Sequence, residues 1–294
     1  MATVDTGRDA GEPGLAGTHW SRRAFLLAAC GAVGAVGIGT DAFTGALGRI
    51  QVTRADLAVP GLPRDLEGLS IAHLTDVHLY DGLHRGARRA IELIQDIRPD
   101  ITFVTGDIVE STDQLPVAAT CIRECRGRLA TAVILGNWEH AVGATPEDMT
   151  RTCDTAGAVF LLNQAHLVGR GSAMIALVGL DDPRAGRADP EGAIRDVPSG
   201  AIQVWAFHSP GFADRLRRRP LPPPALILAG HTHGGQIRLP PLPAITPPGS
   251  GRFVAGWYRD TFAPLFVSRG IGTSDIRARF LCPPELGVLT LRAA

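Results

Sequence analysis

The chain has 294 residues, 45% of them hydrophobic, enough apolar material for one large domain or two small ones, and this sets aside disorder for most of its length. Its 29 basic residues are matched by 29 acidic ones, so no net field draws it to nucleic acid or to an anionic surface, and no nucleic-acid partner is implied. Every basic residue is Arg, which excludes Schiff-base chemistry and any phosphate loop that depends on a lysine.

Residues 1–20 are polar and Gly-rich; "SRRAFLLAACGAVGAVGIG" follows, a twin arginine ahead of an apolar, small-residue run that is short for a membrane span. This stretch resembles a twin-arginine (Tat) export signal, with Ser21, Arg22, Arg23, Phe25 and Leu26 matching its S-R-R-x-F-L core. The expectation is a signal or anchor over 1–42, cleaved after Ala42 or retained. The Tat translocase is then a partner, and the destination is the cell envelope, on the periplasmic or extracytoplasmic face of the membrane. "LAAC", ending in Cys30, reads alternatively as a lipoprotein box. Residues 43–65, with Pro60 and Pro63, read as a linker, and 66–294 as the main domain.

From there strand and helix patterns alternate. "SIAHL" (70–74) predicts a strand, "RGARRAIELIQDI" (85–97) an amphipathic helix, "ITFVT" (101–105) a strand and "PVAATCIREC" (116–125) a helix. "TAVIL" (131–135) predicts a further strand, followed by a helix starting near Thr145 with Pro146 and Glu147 in its first turn. Cys121 and Cys125, four apart on the second helix, read as two core thiols, and the five cysteines imply no disulfide framework. This βαβαβα series argues for a largely parallel sheet covered by helices. The second half is richer in strands ("VFLL", "AMIALVGL", "IQVWAFH", "ALILAG", "PLFVS", "LGVLTL") with one short helix, "FADRLRRR" (212–219), so two packed sheets are expected rather than one. Residues 234–260 form a proline-rich stretch too long for an ordinary connection, and such loops are commonly functional or disordered.

Five apolar runs end in residue types that bind metal: Asp76 and His78 in "AHLTDVH", Asp107 in "FVTGD", Asn137 in "VILGN", His208 in "VWAFH", His231 and His233 in "ILAGHTH". In an α/β sheet the carboxyl ends of neighbouring strands line one crevice, so these residues are expected to converge. Taken singly, Asp76 reads more readily as a helix cap, Asp107 and Asn137 as turn formers and His208 as a satisfied buried histidine. Together, carboxylate or amide oxygens with imidazoles and no thiolate suit two divalent ions of the Mn, Fe or Zn type better than Ca or Mg.

D-x-H, G-D, G-N, a strand-end His and G-H-x-H, in that order, resemble the calcineurin-like metallophosphoesterases. The resemblance implies an α/β fold, a two-sheet sandwich flanked by helices, over residues 66–292. It further implies that Asp76, His78 and His233 hold one metal, Asn137, His208 and His231 the other, and that Asp107 bridges them. "GHTHGGQIRLP", "FVSRGIGTS" and "CPPELGVLTL" are similar to a bacterial branch of exported phosphodiesterases annotated by similarity to UDP-2,3-diacylglucosamine hydrolase. The implied activity is metal-dependent hydrolysis of a phosphodiester or pyrophosphate, in a small-molecule or lipid-linked substrate. A non-catalytic metal-binding protein and a phosphomonoesterase are the alternatives. One departure stands out: the family pattern G-N-H-[DE] places an acidic His where this chain has Trp138. His140, two residues on, is the candidate replacement acid. Trp138, Arg238 and Arg269 are candidate substrate contacts, and Arg277 and Arg279, near the "SRGIGTS" turn, are further candidates for contacting a phosphate. His73, His84 and His166 read as structural.

Overall fold

The computed structural model describes residues 49–294; the expected signal or anchor lies outside the described residues. The first sheet has the order β1 (Gln51–Val59), β12 (Glu285–Ala293), β2 (Ser70–Leu74), β3 (Ile101–Thr105), β4 (Ala130–Ile134) and β5 (Val159–Phe160). β2 to β5 run parallel, β12 lies antiparallel to β2, and β1 is parallel to β12. The second sheet has the order β10 (Gly256–Tyr258), β11 (Leu265–Val267), β9 (Leu226–Ala229), β8 (Ile202–Ala206), β7 (Ala173–Gly179) and β6 (Gln164–Arg170). Its four inner strands are parallel, with β6 and β10 antiparallel at the edges.

The period-two alternation of the strands divides the apolar side chains between two faces. Ile71, Phe103 and Ile134 of the first sheet meet Leu177, Val204 and Leu228 of the second in a shared core. Each such side chain contributes roughly 1.5–3 kcal/mol on burial. The intervening residues face outward. Leu74, Val104 and Val133 pack under α1 (Arg85–Ile97), α2 (Leu115–Glu124) and α4 (Pro146–Ala156), and the short α3 (Asn137–Ala141) follows β4. Trp205 and Ile227 pack under α5 (Pro190–Ala193) and α6 (Phe212–Leu216). The sheets pack tightly at Gly179, where an added Cβ would fall 2.3 Å from Leu161 Cβ and 2.6 Å from Ile134 Cγ2, so alanine would force a shift there. Cys121, Cys125 and Cys153 are free and buried, in the core between the first sheet and its helices.

The structure thus shows two mixed sheets flanked by helices, as expected, with corrections at its edges. The expected linker 43–65 contains β1. As an edge strand it buries little beyond Leu57 and Val59, so its sequence carries only a weak apolar pattern. β6, likewise an edge strand with a largely accessible face, is not foreseen in the sequence, and "VFLL", expected as a strand, closes the first sheet as β5. β10 lies within the proline-rich stretch.

Candidate metal centre

Every predicted strand end comes to the same edge of the sandwich. Asp76 and His78 follow β2, Asp107 follows β3, and Asn137 opens α3 (Asn137–Ala141) after β4. His208 follows β8, and His231 and His233 follow β9. Ligand atoms of Asp76, His78 and His233 all lie within 4.8 Å of one another, and so do those of Asp107, His208 and His231, with all of these residues buried. Asp107 Oδ2 ties the groups together, 3.1 Å from His208 Nε2 and 3.6 Å from His78 Nε2. His233 Nε2 is 3.1 Å from His78 Nε2 and 3.3 Å from Asp76 Oδ1.

Sharp chain reversals create this convergence. Asp76 (φ 52°), His78 (φ 50°), Asp107 (φ 51°), His231 (φ 70°) and His233 (φ 49°) all adopt left-handed backbone, a conformation that costs a residue with a Cβ about 1–2 kcal/mol. Hydrogen bonds hold the loops there: Asp76 N–H donates to Gly106 O (3.1 Å), His78 N–H to Asp107 O (3.0 Å), and His231 N–H to both Asp76 carboxylate oxygens (3.0 and 3.1 Å). Gly106 and Gly136 let the Asp107 and Asn137 loops touch; a Cβ on Gly106 would fall 2.6 Å from Gly136 Cα. The buried Glu139 then binds both loops, its carboxylate accepting from the backbone N–H groups of Gly136, Asp107, Ile108 and Val109 at 2.6–3.2 Å. Glu139 is a site residue that the sequence reading missed: it stands three positions after the N-cap Gly136, from whose backbone N–H it accepts, but a glycine N-cap lacks the side chain that makes the capping pattern legible.

The hydrogen bonds also select the ring nitrogen that is left free for a ligand. His208 Nδ1 lies 2.7 Å from Thr105 O, so it carries the proton and Nε2 faces Asp107. His231 Nε2 lies 3.0 Å from Pro248 O, which leaves Nδ1. Burial lowers the pKa of His78 and of His231 to about 4, so both are neutral at physiological pH, the state that binds metal. Burial works against ionised Asp107, but His208 and His78 outweigh it and bring its pKa to about 2. Burial likewise raises Asp76 to about 6. His208 goes the other way: burial disfavours its charge, yet Asp107 and Asp76 hold its pKa well above the ordinary value. Asn137 Oδ1 and His208 Nε2 are buried without a well-aligned hydrogen-bond partner, which an oxygen and a nitrogen intended for a metal would be. The residues fit a pair of divalent cations.

The remaining candidates are placed as follows. Trp138 is half-buried, with its ring edge-on to His78 at 5.5 Å between centroids. His140 Nε2 lies 2.7 Å from Asp181 Oδ1, just beyond β7, and this bond raises the His140 pKa. Arg238 leans on Gly234 O at 3.5 Å. The Arg269 guanidinium is taken by Glu285 (3.1 Å) and Gln51 (2.9 Å). Arg279 is wholly buried; its guanidinium donates to carbonyls of Gly272 (2.8 Å) and Arg269 (2.7 Å) and lies 3.3 Å from His233 Nδ1, so it braces the loop that carries His233. His84 caps α1 and bonds Val77 O at 2.8 Å, fixing the Asp76–His78 turn, while His73 bonds Thr105 Oγ1 in the core. His166 lies on β6.

A model of the calcineurin-like phosphoesterase family matches residues 69–235, and the chain belongs to that family. It is 28% identical over 288 residues to the uncharacterized metallophosphoesterase YkuE of Bacillus subtilis, covering 93% of this chain and 98% of the relative. It is 30% identical over 209 residues to the phosphodiesterase YaeI of Escherichia coli, covering 69% of this chain and 74% of the relative. A transmembrane protein with a metallophosphoesterase domain from Danio rerio is 27% identical over 83% of this chain, which spans 58% of that relative's length.

Proposed function

We propose that this calcineurin-like phosphoesterase is a dinuclear metal-dependent phosphodiesterase that hydrolyses a phosphodiester or pyrophosphate bond where the two ligand groups meet. The observation that carries the reading is Asp107 Oδ2, within reach of both His208 Nε2 (3.1 Å) and His78 Nε2 (3.6 Å), as a carboxylate shared by two cations must be. Asp76, His78 and His233 would hold one ion, Asn137, His208 and His231 the other, with Mn, Fe or Zn suiting these nitrogen and oxygen donors. When bound, such ions lower the pKa of water and neutralise charge on the phosphoryl oxygens. The similarity to a relative named as a phosphodiesterase favours a diester over a monoester.

The chain's own groups supply orientation and proton handling. Carbonyls of Thr105 and Pro248 lock two ligand rings, and Glu139 fixes the loops bearing Asp107 and Asn137. Trp138 offers an apolar wall beside His78 against which the non-reacting part of a substrate packs. His140, oriented by Asp181, is assigned the leaving-group proton, and Arg238 a contact to the substrate. A lipid-linked head group, such as that of a UDP-diacylglucosamine-like compound, and export by the twin-arginine route complete the proposal. The test is hydrolysis of bis(p-nitrophenyl) phosphate against p-nitrophenyl phosphate by the metal-loaded chain, with metal content measured in parallel. Faster diester turnover with both ions present is expected. Full metal occupancy without turnover of either ester would make the chain a metal-binding protein, and a preference for the monoester would make it a phosphomonoesterase.

A further inference from the structure

We infer that the metal-site end of the molecule is a membrane-docking face, with the proline-rich loop 239–248 and Leu281 seated in the lipid interface. The use of this face rests on the proposed phosphoesterase reading, because it would present the metal centre to a head group; the docking itself does not.

Three observations meet here. First, the described residues include few exposed large apolar side chains, and the two most exposed, Leu281 (65%) and Leu242 (53%), flank the metal centre. Leu281 precedes Cys282, whose Sγ donates to His233 O at 3.2 Å. The loop bearing Leu242 packs on Gly235, where an added Cβ would meet Ala244 Cβ at 3.0 Å, and its Pro248 carbonyl bonds His231. Ile237 and Phe280 form a parallel bridge, and Arg238 N–H donates to Phe280 O (2.9 Å), so the start of the loop runs alongside the segment that carries Leu281. By contrast Leu129 sits at the amino end of β4, the opposite edge of the sheet.

Second, residues 239–251 hold no charged side chain, while Arg238 opens the stretch and Arg49 is exposed at the start of the described chain. An apolar tip bordered by cations suits a bilayer surface with anionic head groups, where apolar burial and attraction to phosphate act together. A tip of this composition has nothing within the described residues that covers it.

Third, the chain joins the fold at this same end. β1 is parallel to β12, and β12 antiparallel to β2, so the start of β1 lies at the carboxyl end of β2, where Asp76 follows. Gln51 N–H donates to Pro284 O (2.8 Å), three residues from Leu281, and Gln51 Oε1 accepts from Arg269 (2.9 Å), next to Gly270, on which a Cβ would fall 2.5 Å from Asp76 Cβ. The sequence ahead of that junction contains the uncharged run 24–39. The described chain therefore begins on the edge that carries the loop tip.

The full chain, with Cys30→Ser, is labelled with a polarity-sensitive fluorophore through Leu242→Cys, Leu281→Cys or, as a control, Leu129→Cys. It is then mixed with phosphatidylglycerol–phosphatidylcholine vesicles carrying brominated lipid. Labels at 242 and 281 are expected to shift to the blue and be quenched at least about twofold more than at 129. Absence of vesicle-dependent quenching at 242 and 281, or equal quenching at 129, overturns the docking face. Labels at 242 and 281 already shielded before vesicles are added would mean that the amino-terminal segment covers the patch, which also overturns it. Metal content and bis(p-nitrophenyl) phosphate turnover are read on the same samples. Intact turnover without docking leaves the phosphodiesterase reading standing, and docking without turnover sinks that reading alone.

Discussion

Glu139 and Asp107, 32 residues apart, are joined by a hydrogen bond of 2.9 Å from the Asp107 N–H to Glu139 Oε2, so a carboxylate that is not proposed to touch metal sets the backbone of the one that bridges. Burial and the nearby Asp107 charge raise the Glu139 pKa, and the backbone N–H groups around it counter that rise. Glu139→Gln keeps one acceptor oxygen and turns an amide donor toward other donors. Leaving buried N–H groups unsatisfied costs about 1–3 kcal/mol each, so a loss of about 2–4 kcal/mol in denaturant unfolding is expected, with weaker metal retention although every ligand remains. Unchanged unfolding midpoint and metal content would show that Glu139 is dispensable.

Asp107→Asn is expected to abolish turnover and to empty both metal positions, because one Asp107 carboxylate oxygen lies within 3.6 Å of a ligand nitrogen in each group. Asp76→Ala and His231→Ala are expected to deplete one position each. Metal stoichiometry on the purified variants checks this, and loss of both ions from either single-site variant would remove the division between the groups.

His140 and Asp181 form a pair whose strength follows pH. The Asp181 bond raises the His140 pKa, so that contribution is complete below about 6.5 and fades as pH rises through the folded value. Asp181 is lowered: burial opposes its ionisation, but the His140 bond and backbone N–H groups prevail, so its contribution is present above about 3.8 and fades as pH falls through its folded value. A double-mutant cycle with His140→Ala and Asp181→Asn is expected to show stronger coupling at about pH 5.5 than at about pH 9. If His140 delivers the leaving-group proton, His140→Ala also slows alkoxide leaving groups by about 10²-fold and spares nitrophenolates. Equal slowing of all substrates with falling metal content would assign it to ligand support instead.

Arg22→Lys with Arg23→Lys is expected to block export while leaving the catalytic domain folded and active, since these side chains are read only as an address. Fractionation of cells expressing the double variant decides it, and normal delivery across the membrane would end the twin-arginine reading.

The convergence of Asp76, His78, Asp107, His208, His231 and His233 was legible because each closes an apolar run, and a parallel sheet gathers such ends into one crevice. The βαβ pattern was legible for a related reason, since buried strands and amphipathic helices leave clear periods. Edge strands leave none, which is why β1 was read as linker and β6 was not foreseen. Pairings across long sequence separations were equally hidden: nothing near His140 points to Asp181, 41 residues away, and nothing in "TPPGS" announces that the Pro248 carbonyl will orient His231. Arg269 shows the converse, a cation of the right type beside the right motif whose guanidinium is engaged by Glu285.

The left-handed backbone shared by Asp76, His78, Asp107, His231 and His233 makes the centre a liability for the bare fold. At about 1 kcal/mol or more for each such residue, the sum approaches the whole stability of an ordinary domain. Glycine would relieve the torsions at any of these positions while removing the ligand. Relief of the backbone and retention of the ligands are therefore opposed at each position, and the buried hydrogen bonds that Asp76 and Asp107 accept would be lost together with the metal ligands.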